Sequence, residues 1–347
     1  MRRPAARTTT VLAGALLLLV TGCSSSGDND KVQTIEAATA AVSPPVSGQP
    51  AGGVVTLNTP VAATVFDPSN GTVAMLTPDA RDLILLPAAA AGSPLPPAGA
   101  LTDIPRRDIA LPGGVAYLSA PLDGTVAVPA GRAVVRVNLA SGETSTTPVD
   151  GDVQSVALLG DGRLAVGTAD GSVRELDANG TETHRVTGLV SVDALGVTGD
   201  KITALDRRQT SVTDVKLADG RLGMALRAGE GATNLVTDHV GRVLVTDTTG
   251  GELISLTTDP LMMHQRFPVP NSPYAIAVDE STNLVWVTVT ATNEVIGFDL
   301  SSGIPVEKHR YPTVRQPNAV AVDGKTGALY VASGAGDGLQ RIDTRGQ

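Results

Sequence analysis

Residues able to cross-link, stack or coordinate are nearly missing from this chain. Cys23 is its only cysteine, so no disulfide forms within one molecule and the fold must rest on burial and backbone pairing. One tryptophan, four tyrosines and three phenylalanines in 347 residues leave few aromatic faces, which disfavours stacking against sugars or bases. The four histidines, His184, His239, His264 and His309, are far apart, and no His-x-x-x-His, Cys-x-x-Cys or calcium-loop spacing occurs. No Gly-x-Ser-x-Gly is present either, so nothing marks a nucleophile. Positive charge is also short: 26 Lys and Arg against 35 Asp and Glu give a net −9, which argues against nucleic acid or an anionic surface as partner. What the chain has instead is Val, Ala and Leu with 38 Gly and 23 Pro, the composition of short strands joined by many turns.

The N-terminus sets the expected compartment. Arg2, Arg3 and Arg7 precede an apolar run over residues 11–20, too short for a stable bilayer span of roughly 20 residues but suited to the core of an export signal. The run ends in Leu19-Val20-Thr21-Gly22-Cys23, which resembles a bacterial lipobox. That resemblance implies cleavage before Cys23, diacylation of its sulfur, and a protein held on the extracytoplasmic face of the cell membrane. Pro4-Ala5-Ala6 after the arginine pair does not fit a twin-arginine signal. Losing residues 1–22 takes three arginines with it and moves the net charge from −9 to −12. Residues 24–53, rich in Ser, Gly, Ala and Pro without apolar periodicity, are expected to be a flexible tether.

From residue 54 the chain repeats itself. The clearest unit opens Pro273-Tyr274-Ala275-Ile276-Ala277-Val278-Asp279, continues through Leu284-Val285-Trp286-Val287-Thr288-Val289 and Glu294-Val295-Ile296-Gly297-Phe298-Asp299, and turns at Ser301-Ser302-Gly303. The next opens Pro317-Asn318-Ala319-Val320-Ala321-Val322-Asp323. Looser copies begin near Ala63, Gly114, Ser155, Ala194 and Asn234. The ends of the seven first strands, Asp67, Ala120, Leu159, Val197, Asp238, Asp279 and Asp323, are spaced by 53, 39, 38, 41, 41 and 44 residues. About 40 residues is the period of a four-stranded propeller blade. The one long interval is accounted for by an Ala/Pro/Gly-rich loop over residues 88–100. Apolar runs without strict alternation suit strands buried on both faces. The last unit has only three strands, so Val54-Val55-Thr56-Leu57 is expected to supply its fourth and close the ring without a free sheet edge. An open β-solenoid or a pair of sandwiches are the competing arrangements.

The unit from Val285 to Gly303 resembles the YVTN repeat of bacterial surface propellers, and the units opening at Asn234 and Pro273 are similar to NHL and virginiamycin-B-lyase-like blades. With its lipobox the chain also looks like actinobacterial envelope lipoproteins of the LppL kind. These resemblances imply an all-β, seven-bladed β-propeller over residues 54–347. They imply little about activity, because propellers carry unrelated functions on one scaffold.

Candidate functional residues follow from the repeat phase. The connections that lead from the outer strand of one blade to the inner strand of the next align as Gly229-Glu230-Gly231-Ala232, Pro270-Asn271-Ser272-Pro273 and Val314-Arg315-Gln316-Pro317. Glu230, Asn271 and Arg315 share one position, Thr233 with Asn234, Tyr274 and Asn318 follow, and Asp193 matches one blade earlier. An acid, amides and a base on adjacent loops suit a polar ligand or a partner peptide; loop residues that serve only solubility and turn formation are the other reading. Clusters such as Asp150-Gly151-Asp152, Gly160-Asp161-Gly162 and Asp177-Ala178-Asn179-Gly180 are expected to be turns, and Gly334 to Gly338 a hairpin. The histidines fall on outer strands, apart from His239 in a turn. The expectation is therefore a monomeric envelope binding or scaffold protein that needs no cofactor or nucleic acid. A metal-dependent lactonase- or lyase-like enzyme using Asp193, Asn234 and Asn318 at the channel mouth is the alternative. A quinone-dependent dehydrogenase ranks last, for want of aromatic and basic contacts.

Overall fold

The computed structural model describes residues 32–87 and 105–345. The signal peptide, Cys23 and the whole of the expected loop at 88–100 lie outside the described residues. Seven antiparallel sheets follow one another along the chain, blades 1 to 7, whose inner segments begin at residues 63, 114, 153, 194, 232, 273 and 317, and each buries apolar side chains against the next. Blade 1 packs on blade 2 through Leu76, Leu83, Val126 and Val135, and blade 2 on blade 3 through Val134 and Val156. The series continues to blade 6 against blade 7, through Trp286, Val295, Leu329 and Val331. It returns to its start where Val73, Met75 and Ile84 of blade 1 meet Tyr330 and Leu339 of blade 7. Seven interfaces for seven sheets make a closed ring.

The second strand of a blade shows why its sequence does not alternate. In Arg242–Asp247, Val243 and Val245 face blade 4 while Leu244 faces blade 6, and all three are fully buried. Both faces of the pleat are core, so the three consecutive central positions are all apolar. The second strands Leu284–Val289 and Ala328–Ser333 are likewise buried at every residue. Outer strands are different: Glu182–Val186 and Val306–Pro312 are mostly exposed.

The repeat's aspartates are turn caps. Asp67 Oδ1 accepts the amide of Ser69 at 3.0 Å, Asp279 Oδ1 that of Ser281 at 3.0 Å, and Asp323 Oδ1 that of Lys325 at 2.9 Å. Each carboxylate is buried and bonds its own turn two residues on. Asp177 does the same for Asn179 and Thr181, as expected of a turn. His184, His264 and His309 lie on outer strands and His239 in a turn between inner and second strands.

Closure occurs where the sequence places it. Gly53–Val55 pairs antiparallel with the last strand, Leu339–Asp343, in the register Gly53 to Arg341, Val54 to Gln340 and Val55 to Leu339. Two features depart from expectation. Six sheets have four strands, but the second has three: residues 114–121 occupy the inner position without a ladder. Gly114 lies too close to the backbone of Pro129 for any side chain, and Tyr117 leaves the blade to bond blade 4. The second departure is in the expected tether. From residue 34 it lies on the loops of the ring, its backbone hydrogen-bonded from Ile35 to Ala51.

Candidate functional site

The ring has two faces. One carries the outer-to-inner connections together with the turns between second and third strands; it is called the loop face here. The inner strands of six blades and residues 115–122 of blade 2 wall a central channel of about 800 Å³. Its wall is mainly Ala, Val, Leu and Ile, with Phe66, Tyr117 and Tyr274. Small residues such as Ala194, Ala275, Ala319 and Ala321 are what lets seven inner segments converge on one axis.

Polar side chains gather at the loop-face end of this channel. Gln154, Asp193, Asn234, Tyr274 and Asn318 stand at or near the starts of their inner strands, and Arg207 comes from the turn after the second strand of blade 4. Asp193 Oδ2 accepts from Ser191 Oγ at 2.6 Å and from the Arg207 amide at 2.8 Å, which fixes its carboxylate. Asn234 Nδ2 donates to the Tyr274 carbonyl at 3.0 Å. Asn318 Oδ1 accepts from Gln316 Nε2 at 3.0 Å, leaving Nδ2 as its donor, seated over Gly334 where a Cβ would lie 2.4 Å away. The Asn234 carbonyl and the Asn318 amino group bond no other described residue, so one acceptor and one donor are offered to a guest.

The structure divides the residues singled out from sequence. Asp193, Asn234, Tyr274 and Asn318 meet at the channel mouth. Glu230 and Asn271 are exposed and line neither cavity, and Arg315, half-exposed, stands 3.8 Å from Asp337. The reason is strand geometry: the position two residues before the inner strand is on the rim, and the one or two residues after it point to the axis. Arg315 does wall a second cavity of about 430 Å³, between Thr39, Ala40, Val42 and Ser43 on one side and Tyr274, Gln316, Asn318 and Gly334 on the other.

Three contributors were not legible from the repeat. Arg207 reaches the mouth and donates to the Ala38 carbonyl. Gln316 joins Asn318 to the N-terminal segment. Tyr117, from blade 2, places its hydroxyl 3.3 Å from the Leu195 carbonyl and 3.4 Å from the Leu195 amide, on blade 4; burial pushes its phenol up to about 12. The only available signal was Tyr117 and Tyr274 being the two tyrosines that fall on inner positions. At the opposite end of the channel, Glu280 pairs with His239. Among the described residues no group of three His, Cys, Asp or Glu is placed to share a metal ion.

No protein-family model matches the chain, and no curated protein sequence matches it. Its architecture is similar to that of solved structures. One is hydrazine synthase of Kuenenia stuttgartiensis, with 13% identity, a TM-score of 0.67, and coverage of 86% of this chain and 100% of that one. A streptogramin B lyase has 12% identity, a TM-score of 0.66, and coverage of 84% and 96%. Virginiamycin B lyase from Staphylococcus aureus has 13% identity, a TM-score of 0.65, and coverage of 83% and 97%. At these identities the likeness speaks to architecture alone: the chain folds as a seven-bladed β-propeller.

Proposed function

We propose that the protein is a lipid-anchored binding or scaffold protein of the cell envelope, held to the membrane through Cys23, which takes a polar ligand or protein partner at the loop-face end of its channel. The observation that carries this reading is the cluster of polar groups, Gln154, Asp193, Arg207, Asn234, Tyr274 and Asn318, at one end of a mainly apolar channel of about 800 Å³. Ligand sites combine an apolar hollow with a few fixed polar groups in this way. Binding rather than turnover is favoured because the one carboxylate at the mouth already accepts two hydrogen bonds, from the Ser191 hydroxyl and the Arg207 amide, and no histidine is among the described residues that line the channel.

Native mass spectrometry of the mature chain, released from membranes in mild detergent, tests this. A bound species lost in the Asn234→Ala/Asn318→Ala double variant is expected. A ligand-free protein whose mass and melting temperature do not respond to envelope extract would overturn the reading. The anchor has its own test, diacylation of the peptide beginning at Cys23 and its loss in Cys23→Ser. A metal-dependent lactonase- or lyase-like enzyme is the second reading, because Asp193, Asn234 and Asn318 share the mouth; metal bound stoichiometrically and lost in Asp193→Ala would favour it.

A further inference from the structure

The segment over residues 34–52 is itself a bound peptide. It crosses the loop face from blade 4 to blade 7, and the propeller reads it almost wholly through its backbone. The Ile35 amide donates to the Arg208 carbonyl at 2.8 Å, and Arg207 donates to the Ala38 carbonyl. The Ala41 amide donates to Ser272 Oγ at 3.0 Å. Gln316 uses both ends of its amide: Nε2 donates to the Ala41 carbonyl at 2.9 Å and Oε1 accepts from the Ser43 amide at 2.9 Å. Asn293 Nδ2 donates to the Pro44 carbonyl at 2.9 Å, while its Oδ1 accepts the Gln316 amide at 3.0 Å. Only one side chain of the segment is engaged deeply: Ser43, 7% exposed, donates to the Thr290 carbonyl. Val42 is 91% exposed.

Two further observations bear on this. The receptor loops have uncommon backbone: Asn271, Ser272 and Gln316 have φ of 73°, 64° and 56°, and Ser272 and Gln316 each precede a proline, where such angles are further restricted. Strain of this kind is kept where surrounding contacts hold a binding surface in shape. The occupant's apolar contacts are small, four partly buried alanines and Val46, so backbone hydrogen bonds carry most of its hold and its release exposes little apolar surface.

We propose that the loop face between blades 4 and 7 is a groove for an extended peptide, occupied in the resting protein by residues 36–46 and open by exchange to an extended segment of a partner protein. Backbone reading makes the groove tolerant of sequence. Its one selective point is the buried site of Ser43, which fits a small hydroxyl residue followed by proline. Because the resident segment is covalently attached, its effective concentration is on the order of millimolar, and it sets the threshold a partner must exceed. The proposal is independent of what enters the channel.

The test uses a fluorescently labelled synthetic peptide of residues 36–46 and two full-length chains, the wild type and one in which Ala41 and Ser43 are both replaced by proline, which removes the two backbone amides and the buried hydroxyl that the groove holds. Saturable binding to the replaced chain is expected, at least tenfold tighter than to the wild type, and weakened at least tenfold by Gln316→Ala. Absence of binding to the replaced chain, once its melting curve shows it folded, would overturn the proposal, as would equal affinity for both chains. Should the replaced chain not fold, hydrogen exchange of the wild type decides: the Ala41 and Ser43 amides are expected to exchange at least a hundredfold faster than the closing strand Gly53–Val55. Equal protection would mean that the segment does not exchange.

Discussion

Ring closure can be broken by adding a single methyl group. Gly52 stands just before the closing strand with φ of 67°, and a Cβ there would lie 2.1 Å from the Arg341 carbonyl oxygen. Gly71, in a turn of blade 1, has the same φ of 67° with nothing within 4 Å of its Cβ position. Alanine in left-handed backbone costs about 1–2 kcal/mol at either site, so the difference between Gly52→Ala and Gly71→Ala isolates the collision. Relieving it means moving Gly53–Val55 away from Arg341, which loosens Val55 and Leu57, 5% and 6% exposed in the contact with Met75, Tyr330 and Leu339. Partial exposure of two such side chains is worth about 2–4 kcal/mol, and Gly52→Ala should be the less stable variant by that amount. Urea unfolding followed by circular dichroism measures it, as a lower midpoint at unchanged slope. Gly338→Ala, whose Cβ would lie 2.1 Å from the Val55 carbonyl oxygen, should behave like Gly52→Ala. If Gly52→Ala and Gly71→Ala agree within about 0.5 kcal/mol, the closure described here is wrong.

Two other perturbations test the interior. Gly297 lies on the third strand of blade 6, where a Cβ would come 2.8 Å from the fully buried ring of Trp286. That ring stacks on His309 and Tyr311 with centroids 5.7 Å and 6.1 Å away and has no room to retreat. Gly297→Ala should therefore cost about 1–3 kcal/mol, read from the emission of the only tryptophan. Tyr117 tests the link across the channel: its folded pKa, raised to about 12, exceeds the unfolded value near 10, so its contribution is intact below pH 10 and lost as pH rises toward 12. Tyr117→Phe should flatten the fall in melting temperature over that window; an unchanged fall would show that the phenol is not buried as described.

The fold was legible because its determinants are local and repeated. An aspartate that caps its own turn recurs at Asp67, Asp238, Asp279 and Asp323, and strands buried on both faces read as unbroken apolar runs. Blade 2 was less legible: Gly114 to Tyr117 has the composition of an inner strand, yet its conformation follows from the close approach of Gly114 to Pro129 and from the bond of Tyr117 to blade 4, both set by distant residues. The N-terminal segment was hidden for a related reason. Its hold consists of backbone groups bonded to Ser272, Asn293 and Gln316, more than 200 residues away in sequence, and backbone recognition leaves no pattern in side chains. The candidate site was half legible. Counting from the inner strands placed Asp193, Asn234, Tyr274 and Asn318 at the mouth, but the same count did not reveal that Glu230 and Asn271 turn to solvent.

The claim that binding occurs on the loop face is tested most directly by hydrogen exchange of the mature chain with and without envelope extract. Slowed exchange is expected in residues 190–195, 229–235, 271–276 and 315–320, with no change in the opposite turns at 198–201, 239–242, 280–283 and 324–327. Protection confined to those opposite turns, or none on either face, would contradict it.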